Sequence, residues 1–144
     1  MTLFDTISAS AASDKKLIVW NMEIHEEMWS LSYNVYVNDL EIIDDLLLVC
    51  NELNAIQVHV LKTGKEAFHL DNGGQCRSMD FNKSKTILAV ATKRNVLLWD
   101  YKNRRLLKSL NVGLWPVDLK FNPTGSRLMV ALHEGKIIKI DISL

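Results

Sequence analysis

Side chains that serve in catalysis or metal binding are present in this sequence, but their spacing does not build a site. The adjacent carboxylates Asp44-Asp45 stand where a short polar turn is expected, so a solvated turn is a better interpretation than an acid–base pair. Gly73-Gly74 lacks the following helical pattern that a phosphate-binding loop requires. No metal-ligand spacing links the four histidines, which are His25, His59, His69 and His133. We therefore expect a protein that is not an enzyme and that has no cofactor and no metal site.

The composition is that of an ordinary folded protein. The chain has 144 residues, of which 48% are hydrophobic and 24% are charged, and this length suffices for one domain with a buried core. The 17 lysines and arginines balance 17 aspartates and glutamates. Because nucleic-acid-binding proteins usually carry a basic excess, this balance argues against a dominant contact with nucleic acid.

Neither a membrane span nor a secretion signal is recognisable in the sequence. No apolar run approaches the ~20 residues that cross a bilayer as a helix. The first residues, "MTLFDTISASAASDKK", lack both a basic n-region and a continuous apolar h-region. The sequence therefore predicts an intracellular protein, cytoplasmic or nuclear, without membrane contact.

One pattern recurs at intervals of about forty residues. Four segments align: "LIVWN" (17–21), "IQVHV" (56–60), "VLLWD" (96–100) and "IIKID" (137–141). One repeat position, at successive spacings of 39, 40 and 41 residues, is held by Trp20, His59, Trp99 and Ile140. A second pair of anchors, Phe81 and Phe121, lies forty residues apart in the matching segments "MDFNKSKTILAVA" and "LKFNPTGSRLMVA". This period indicates one structural unit that is used repeatedly, with these six residues as its structural anchors.

Each of these four sequence repeats, or repeat units, divides into short strand-like runs. In the third unit the runs are 76–82, 86–92, 95–101 and 105–111, and two or three polar residues separate them. Such runs, rich in Val, Ile, Leu and aromatic residues, predict hairpin-linked β-strands. The segment "SDKKLIVWNMEIHEEMWSL" (13–31) also has apolar residues at helical spacing. Its equivalents in the other units contain β-branched runs and a Thr-Gly turn, so the strand interpretation is favoured.

These features together resemble the WD-repeat β-propeller family, whose blades are four-stranded antiparallel sheets of about forty residues. The resemblance is carried by Trp99-Asp100, by Trp20-Asn21 and by "FNPTGSRL" (121–128), which is similar to the family's Phe-x-Pro-x-Gly turn. The family's Gly-His before the first strand of a blade is absent, and Lys93 replaces an acid of its buried hydrogen-bond network. The resemblance therefore implies an all-β fold of WD-repeat-like β-propeller blades. Trp99 is then expected to be a packing anchor between blades.

The strand count predicts an incomplete ring. We expect a single propeller portion, 1–144, with blade boundaries at about 1–32, 33–71, 72–111 and 112–144. The chain is predicted to begin at the second strand of its first unit and to end with the third strand of its fourth. Two blades are then complete and two are partial. Three explanations stay open: a fragment of a longer propeller, ring closure by self-association, or strand complementation by a partner.

One face of the blades is the expected binding surface, because the family commonly binds partners there. The residues predicted to lie on this loop face are Tyr33, Tyr36, Gln75, Arg94, Leu114 and Trp115. Trp115 is the strongest candidate, and packing against a neighbouring blade is its alternative role. Lys93-Arg94 and the basic residues of 102–108 are predicted to open on opposite faces, so a continuous groove for nucleic acid is not expected. We interpret the protein as a non-catalytic protein–protein interaction scaffold that binds other protein subunits. The alternative is an RNA-associated subunit of a ribonucleoprotein or RNA-processing assembly.

Overall fold

The computed structural model describes residues 6–72, 74–113 and 115–142, together with the backbone of residues 2–4. Over these ranges the chain contains fifteen β-strands and no helix. The strands form four antiparallel sheets, each of which follows the order of the sequence. The prediction of an all-β fold made of antiparallel blades is confirmed.

The chain divides into two compact units, Met1–Gly73 and Gly74–Leu144. The first unit holds two four-stranded sheets. The first sheet consists of β1 (Thr2–Phe4), β2 (Ile7–Ala11), β3 (Lys16–Asn21) and β4 (Glu26–Ser32). The second consists of β5 (Val37–Ile43), β6 (Leu46–Asn51), β7 (Ala55–Val60) and β8 (Glu66–Asp71).

The second unit holds a four-stranded and a three-stranded sheet. The third sheet of the chain consists of β9 (Ser78–Phe81), β10 (Ile87–Ala91), β11 (Asn95–Asp100) and β12 (Arg105–Asn111). The fourth consists of β13 (Pro116–Phe121), β14 (Arg127–Leu132) and β15 (Ile137–Asp141).

The first sheet corrects one detail of the expected strand count. β1 pairs with β2 in the register Thr2↔Ala9, Leu3↔Ser8 and Phe4↔Ile7. Among the described residues, three sheets therefore have four strands and one has three, in place of two complete and two partial blades. A run of three residues is too short to show an alternating pattern, so only its pairing with β2 identifies it as a strand.

Every second residue along the strands contributes to an apolar core between the two sheets of each unit. Successive strand residues point to opposite faces of a sheet, so every second residue of neighbouring strands lies on the same face. In the first unit, the buried core consists of Ile7, Ala9, Leu17, Val19, Leu47, Val49 and Leu61. In the second unit, it consists of Ala89, Ala91, Val96, Leu98, Leu119, Phe121, Leu128, Val130 and Leu132. Each core joins the facing sides of two consecutive sheets.

The repeat anchors of the third strand in each sheet share a backbone feature. The pairing between the third and fourth strands shifts register at the anchor in all three four-stranded sheets, at Trp20, His59 and Trp99. Such a shift marks a β-bulge, which bends and twists the strand locally. The forty-residue sequence period therefore corresponds to a repeated irregularity of the backbone as well as to repeated strands.

The turns between the first and second strands of a sheet repeat their chemistry in the second unit. The side-chain carbonyl of Asn82 accepts hydrogen bonds from the backbone N–H of Thr86 and Ile87, each at 2.9 Å. Forty residues later, the side-chain carbonyl of Asn122 accepts one from Arg127 N–H at 3.0 Å. Gly125 adopts the positive φ of +75° that its place in the predicted turn requires. These contacts fix the hairpins that precede β10 and β14.

The acid of the Trp-Asp dipeptide serves the turn that follows β11. Asp100 Oδ2 accepts a hydrogen bond from the side-chain amide of Asn103 at 2.7 Å, and its Oδ1 accepts one from Asn103 N–H at 3.3 Å. These two bonds, the side-chain one foremost, lower the pKa of the Asp100 carboxyl from its ordinary value. Asp100 therefore closes the turn before β12.

Candidate functional site

The neutral net charge of the chain conceals opposite charges on its two units. Gly74–Leu144 contains 13 lysines and arginines but only five aspartates and glutamates, a formal net charge of +8. Met1–Gly73 contains four lysines and twelve acids, a formal net charge of −8. A strongly basic unit attracts polyanions, whatever the charge of the rest of the chain. The net charge of the whole chain does not show this difference, because the charges of the two units cancel, although the sequence of each unit contains it.

The second unit carries an exposed tryptophan beside two cations. The side chain of Trp115 is 39% exposed. The Arg77 guanidinium carbon lies 4.9 Å from the centre of the Trp115 ring, and the Lys93 ammonium nitrogen lies 5.0 Å from it. Both distances are within the range of cation–π attraction. We call the surface formed by Arg77, Lys93, Trp115, Val117 and His133 the Trp115 surface.

Backbone hydrogen bonds position these residues at one end of two adjacent sheets. Trp115 precedes β13, and its carbonyl accepts a hydrogen bond from His133 N–H at 2.8 Å. Arg77 precedes β9, and its N–H donates to the Ala91 carbonyl at 2.7 Å. Lys93 follows β10 in the turn to β11. Four chain segments that are distant in sequence therefore meet at this end of the second unit.

A shallow pocket of about 310 Å³ lies beside the tryptophan, lined by Arg77, Trp115, Val117 and His133. Trp115 and Val117 supply apolar surface, since each is 39% exposed. No aspartate or glutamate is among the described residues that line it. A flat aromatic ring with flanking cations, in a lining without these acids, suits a ligand that is both planar and anionic.

Two residues that the sequence predicts on the loop face are described in the second unit beside Trp115. Arg94 is exposed and adjoins Lys93, and Gln75 is partly exposed. Leu114 lies outside the described residues. The ring of Trp115 lies against Arg77 and Lys93, which adjoin strands of the neighbouring third sheet, as its alternative packing role predicts, and the ring remains partly open to solvent. Whether these residues bind a partner stays a prediction.

Sequence reasoning did not select Arg77, Lys93 or His133 as binding residues. Arg77 and Val117 lie forty residues apart and occupy equivalent positions of the repeat. The repeat register therefore contained the signal that Arg77 and Trp115 belong to the same end of neighbouring sheets. The repeat register did not indicate that Arg77 contacts the indole ring of Trp115.

In the first unit, Tyr33 belongs to a hydrogen-bonded network with the repeat anchor His59. His59 is 7% exposed. Its Nδ1 lies 3.0 Å from the Gly64 carbonyl, and its Nε2 lies 3.1 Å from the Tyr33 hydroxyl. Because a carbonyl oxygen only accepts hydrogen bonds, Nδ1 donates to Gly64, which leaves Nε2 to accept a hydrogen bond from the Tyr33 hydroxyl. Tyr33 thus connects the chain after β4 to β7, and its hydroxyl is used within the unit.

Tyr36 is exposed, as predicted for a residue of the loop face. Its side chain is 48% exposed. The Lys15 ammonium nitrogen lies 4.9 Å from the centre of its ring. This cation–aromatic pair is in the acidic unit, which contains four lysines.

The environment of Tyr33 predicts a loss of stability in alkaline solution. Burial, and then the Glu66 carboxylate, raise the pKa of Tyr33 to about 12, from 10.0 in an unperturbed tyrosine. Between these values the unfolded chain releases the proton while the folded chain retains it, so the contribution of Tyr33 is complete below pH 10 and declines towards pH 12. In urea unfolding at about pH 9 to 11.5, we expect the stability advantage of the natural chain over Tyr33→Phe to shrink as the pH rises.

Tyr36→Phe is the matched control for this experiment, since it removes the same hydroxyl from an exposed ring. The natural chain and this control should follow parallel pH profiles. An advantage over Tyr33→Phe that stays constant across the same pH range would contradict the raised pKa of Tyr33.

The described residues contain no group of three or more His, Cys, Asp or Glu side chains able to hold a metal ion. Over the same part of the chain, no helix is present that is long and apolar enough to cross a membrane.

Comparison with known proteins adds local sequence matches and a similarity of fold. No protein-family model matches the chain. It is 29% identical to the ribosome biogenesis protein BOP1 homolog of Aedes aegypti over 92 residues, which are 62% of this chain and 11% of the relative. It is 30% identical to the ribosome biogenesis protein ERB1 of Mycosarcoma maydis over 73 residues, which are 50% of this chain and 8% of the relative. The matches thus span about a tenth of the length of these curated relatives.

Among solved structures, the crystal structure of the computationally designed Ika4 protein has a TM-score of 0.81 to this chain. The match covers 98% of this chain and 88% of the designed one at 17% sequence identity. At this identity the likeness concerns the fold alone. The fold of repeated antiparallel sheets is therefore one that also occurs in an experimentally determined structure.

Proposed function

We propose that this chain is a non-catalytic scaffold subunit of an RNA-processing assembly of the kind that produces ribosomes. The observation that carries the proposal is the sequence similarity to ribosome biogenesis proteins of a mosquito and a fungus. The four repeated sheets support it, because the loops that connect the strands of such sheets can contact protein or RNA partners. In this proposal the repeats are WD-type propeller blades and the protein works inside the cell.

The surroundings of the histidines support a non-catalytic role. His59 is engaged in the Tyr33 network, and His69 lies 3.4 Å from Asp71 and 3.9 Å from Glu66 at the exposed side of β8. His25 and His133 are exposed in turns. An acid–base mechanism requires such groups to converge on a substrate, whereas His59 is buried within its own unit and the other three histidines are exposed.

The partners that we propose are other protein subunits, in addition to the RNA of the assembly. One feature suited to a protein partner is β15, which is hydrogen-bonded to β14 and is the last strand in the order of the fourth sheet. Ile137 on this strand is 65% exposed. A strand from a partner or from a second copy that pairs with β15 would complete this sheet and cover Ile137.

Sedimentation of the tagged chain in extracts of its own cells tests the proposal. We expect a substantial fraction to sediment with large ribonucleoprotein particles and to move to light fractions after ribonuclease treatment or disruption of the particles. The tag alone should stay in the light fractions. A chain that sediments as a free protein, with and without ribonuclease, would overturn the proposed function.

A further inference from the structure

We infer that the Trp115 surface is a binding site for single-stranded RNA, in which a base stacks on the exposed part of the indole and neighbouring phosphates bind Arg77 and Lys93. This inference deepens the proposed function and rests on it, because the proposed assembly is what brings RNA to the chain. It assigns the contact to one end of the second unit.

The first argument is the charge of the second unit. A net charge of +8 within residues Gly74–Leu144 is the basic excess typical of nucleic-acid-binding domains. The opposite charge of the first unit restricts this attraction to one part of the chain. Phosphates should therefore accumulate around the second unit even though the whole protein is neutral.

The second argument is the arrangement of an exposed aromatic ring beside two cations. Proteins bind single strands by stacking bases on aromatic side chains while basic side chains follow the backbone. Arg77 and Lys93 are each about 5 Å from the centre of the Trp115 ring, so the cations and the stacking surface are already assembled. Their attraction to the indole limits the positions that these two side chains adopt, which reduces the entropy lost on binding.

The third argument is the shape and lining of the pocket. Its volume of about 310 Å³ is open to solvent beside the ring, and Val117 and His133 extend the wall away from Trp115. A planar base has an apolar face for Trp115 and Val117 and a polar edge for His133. The carboxylates of an acidic protein segment would neutralise the cations but offer no aromatic face to the indole, so the combination favours RNA over such a partner. A base inside a duplex is stacked on its neighbours, which restricts the site to single strands.

The test is fluorescence anisotropy of a labelled uridine RNA of about 12 nucleotides with the full chain at about 50 to 200 mM NaCl. We expect Trp115→Ala to weaken binding about tenfold, as expected for removal of one stacking partner, while the salt dependence stays nearly unchanged. Arg77→Glu and Lys93→Glu should also weaken binding, and each should lower the salt slope by about 0.7 for every phosphate that the variant no longer neutralises. Trp115→Phe, which preserves a stacking ring, should retain most of the affinity.

The matched control for Lys93→Glu is Lys85→Glu. Lys85 also lies over an aromatic ring, 5.6 Å from the centre of Phe81, but it belongs to the turn at the opposite end of β10. The two variants change the net charge of the protein equally. If RNA binding depended on net charge alone, both substitutions would reduce the affinity for RNA equally. We expect the Lys85 variant to bind RNA within about threefold of the natural chain, after its fold has been checked by circular dichroism.

The remaining outcomes separate this inference from the proposed function. Equal reductions in affinity for the Lys85 and Lys93 variants, or Trp115→Ala within twofold of the natural chain, would overturn the RNA site. Binding of a poly-glutamate peptide as tightly as RNA would overturn it in favour of an acidic protein partner. If the chain sediments with ribonucleoprotein particles but Trp115→Ala binds the labelled RNA as tightly as the natural chain, the RNA site fails while the scaffold role stands.

Discussion

Replacement of Trp99 by alanine is expected to lower the free energy of unfolding by about 3–5 kcal/mol, as for other large buried aromatic residues. Trp99 is 6% exposed, although it lies near the end of a strand that a turn follows. Deletion of the ring removes its burial energy and leaves a cavity that the surrounding strands fill only in part. Urea unfolding followed by circular dichroism measures the effect.

Trp115→Ala is the matched control, because it makes the same substitution at a side chain that is 39% exposed. It should cost less than about 1 kcal/mol, since a surface substitution leaves no cavity. A decrease below about 1 kcal/mol at Trp99 would contradict its interpretation as a packing anchor.

Trp99→Phe provides a finer test of the same position. The indole Nε1 of Trp99 is buried and has no hydrogen-bond partner in the described part of the chain. Phenylalanine retains most of the apolar ring and removes the unpaired N–H, whose burial is itself unfavourable. We therefore expect this variant to lose clearly less stability than Trp99→Ala.

Gly64→Ala is expected to destabilise the chain by about 3 kcal/mol, for two reasons that add. Gly64 has φ of +79°, a conformation that an alanine adopts only with strain. An added Cβ would also lie 2.8 Å from Cδ2 and 2.9 Å from Cε3 of the Trp29 ring. That ring cannot move freely, because its Nε1 donates a hydrogen bond to the Leu61 carbonyl at 2.7 Å.

Gly135→Ala is the control that separates backbone strain from the steric clash with Trp29. Gly135 has a similar φ of +85°, and a Cβ built there meets no described atom within 4 Å. This control should cost only about 1–2 kcal/mol from backbone strain. Chemical unfolding of both variants gives the difference, which measures the clash with Trp29. Equal destabilisation would mean that the ring and the loop at Gly64 move apart without cost.

Predictions from the sequence agree best with the structure where a feature depends only on residues close together in the chain. The hairpin turns are an example, because Asn82, Asn122 and Gly125 form them through contacts with residues no more than five positions away. Most strands follow from short runs rich in Val, Ile, Leu and aromatic residues. Even the bulge at the repeat anchors follows the forty-residue period.

Prediction is weaker where a contact joins distant segments. The sequence pattern places Tyr33 on an exposed face, whereas its hydroxyl lies 3.1 Å from His59 Nε2, 26 residues away. His59 itself is expected to pack as a buried side chain, but no local pattern indicates its partner. The strand β1 is not recognisable in the sequence because three residues contain too little pattern, and only its pairing with β2 defines it.

The sequence by itself determined the repeat, the strand type and the charge of each half, because these depend on residue type and spacing alone. The tertiary structure decided which side chains meet. Arg77, Lys93 and Trp115 are separated by up to 38 residues, and they converge only because two adjacent sheets place their strand ends side by side. A repeat fixes the place of each residue within its own blade. The distance between side chains of neighbouring blades depends in addition on how the sheets pack and twist, which no single repeat encodes.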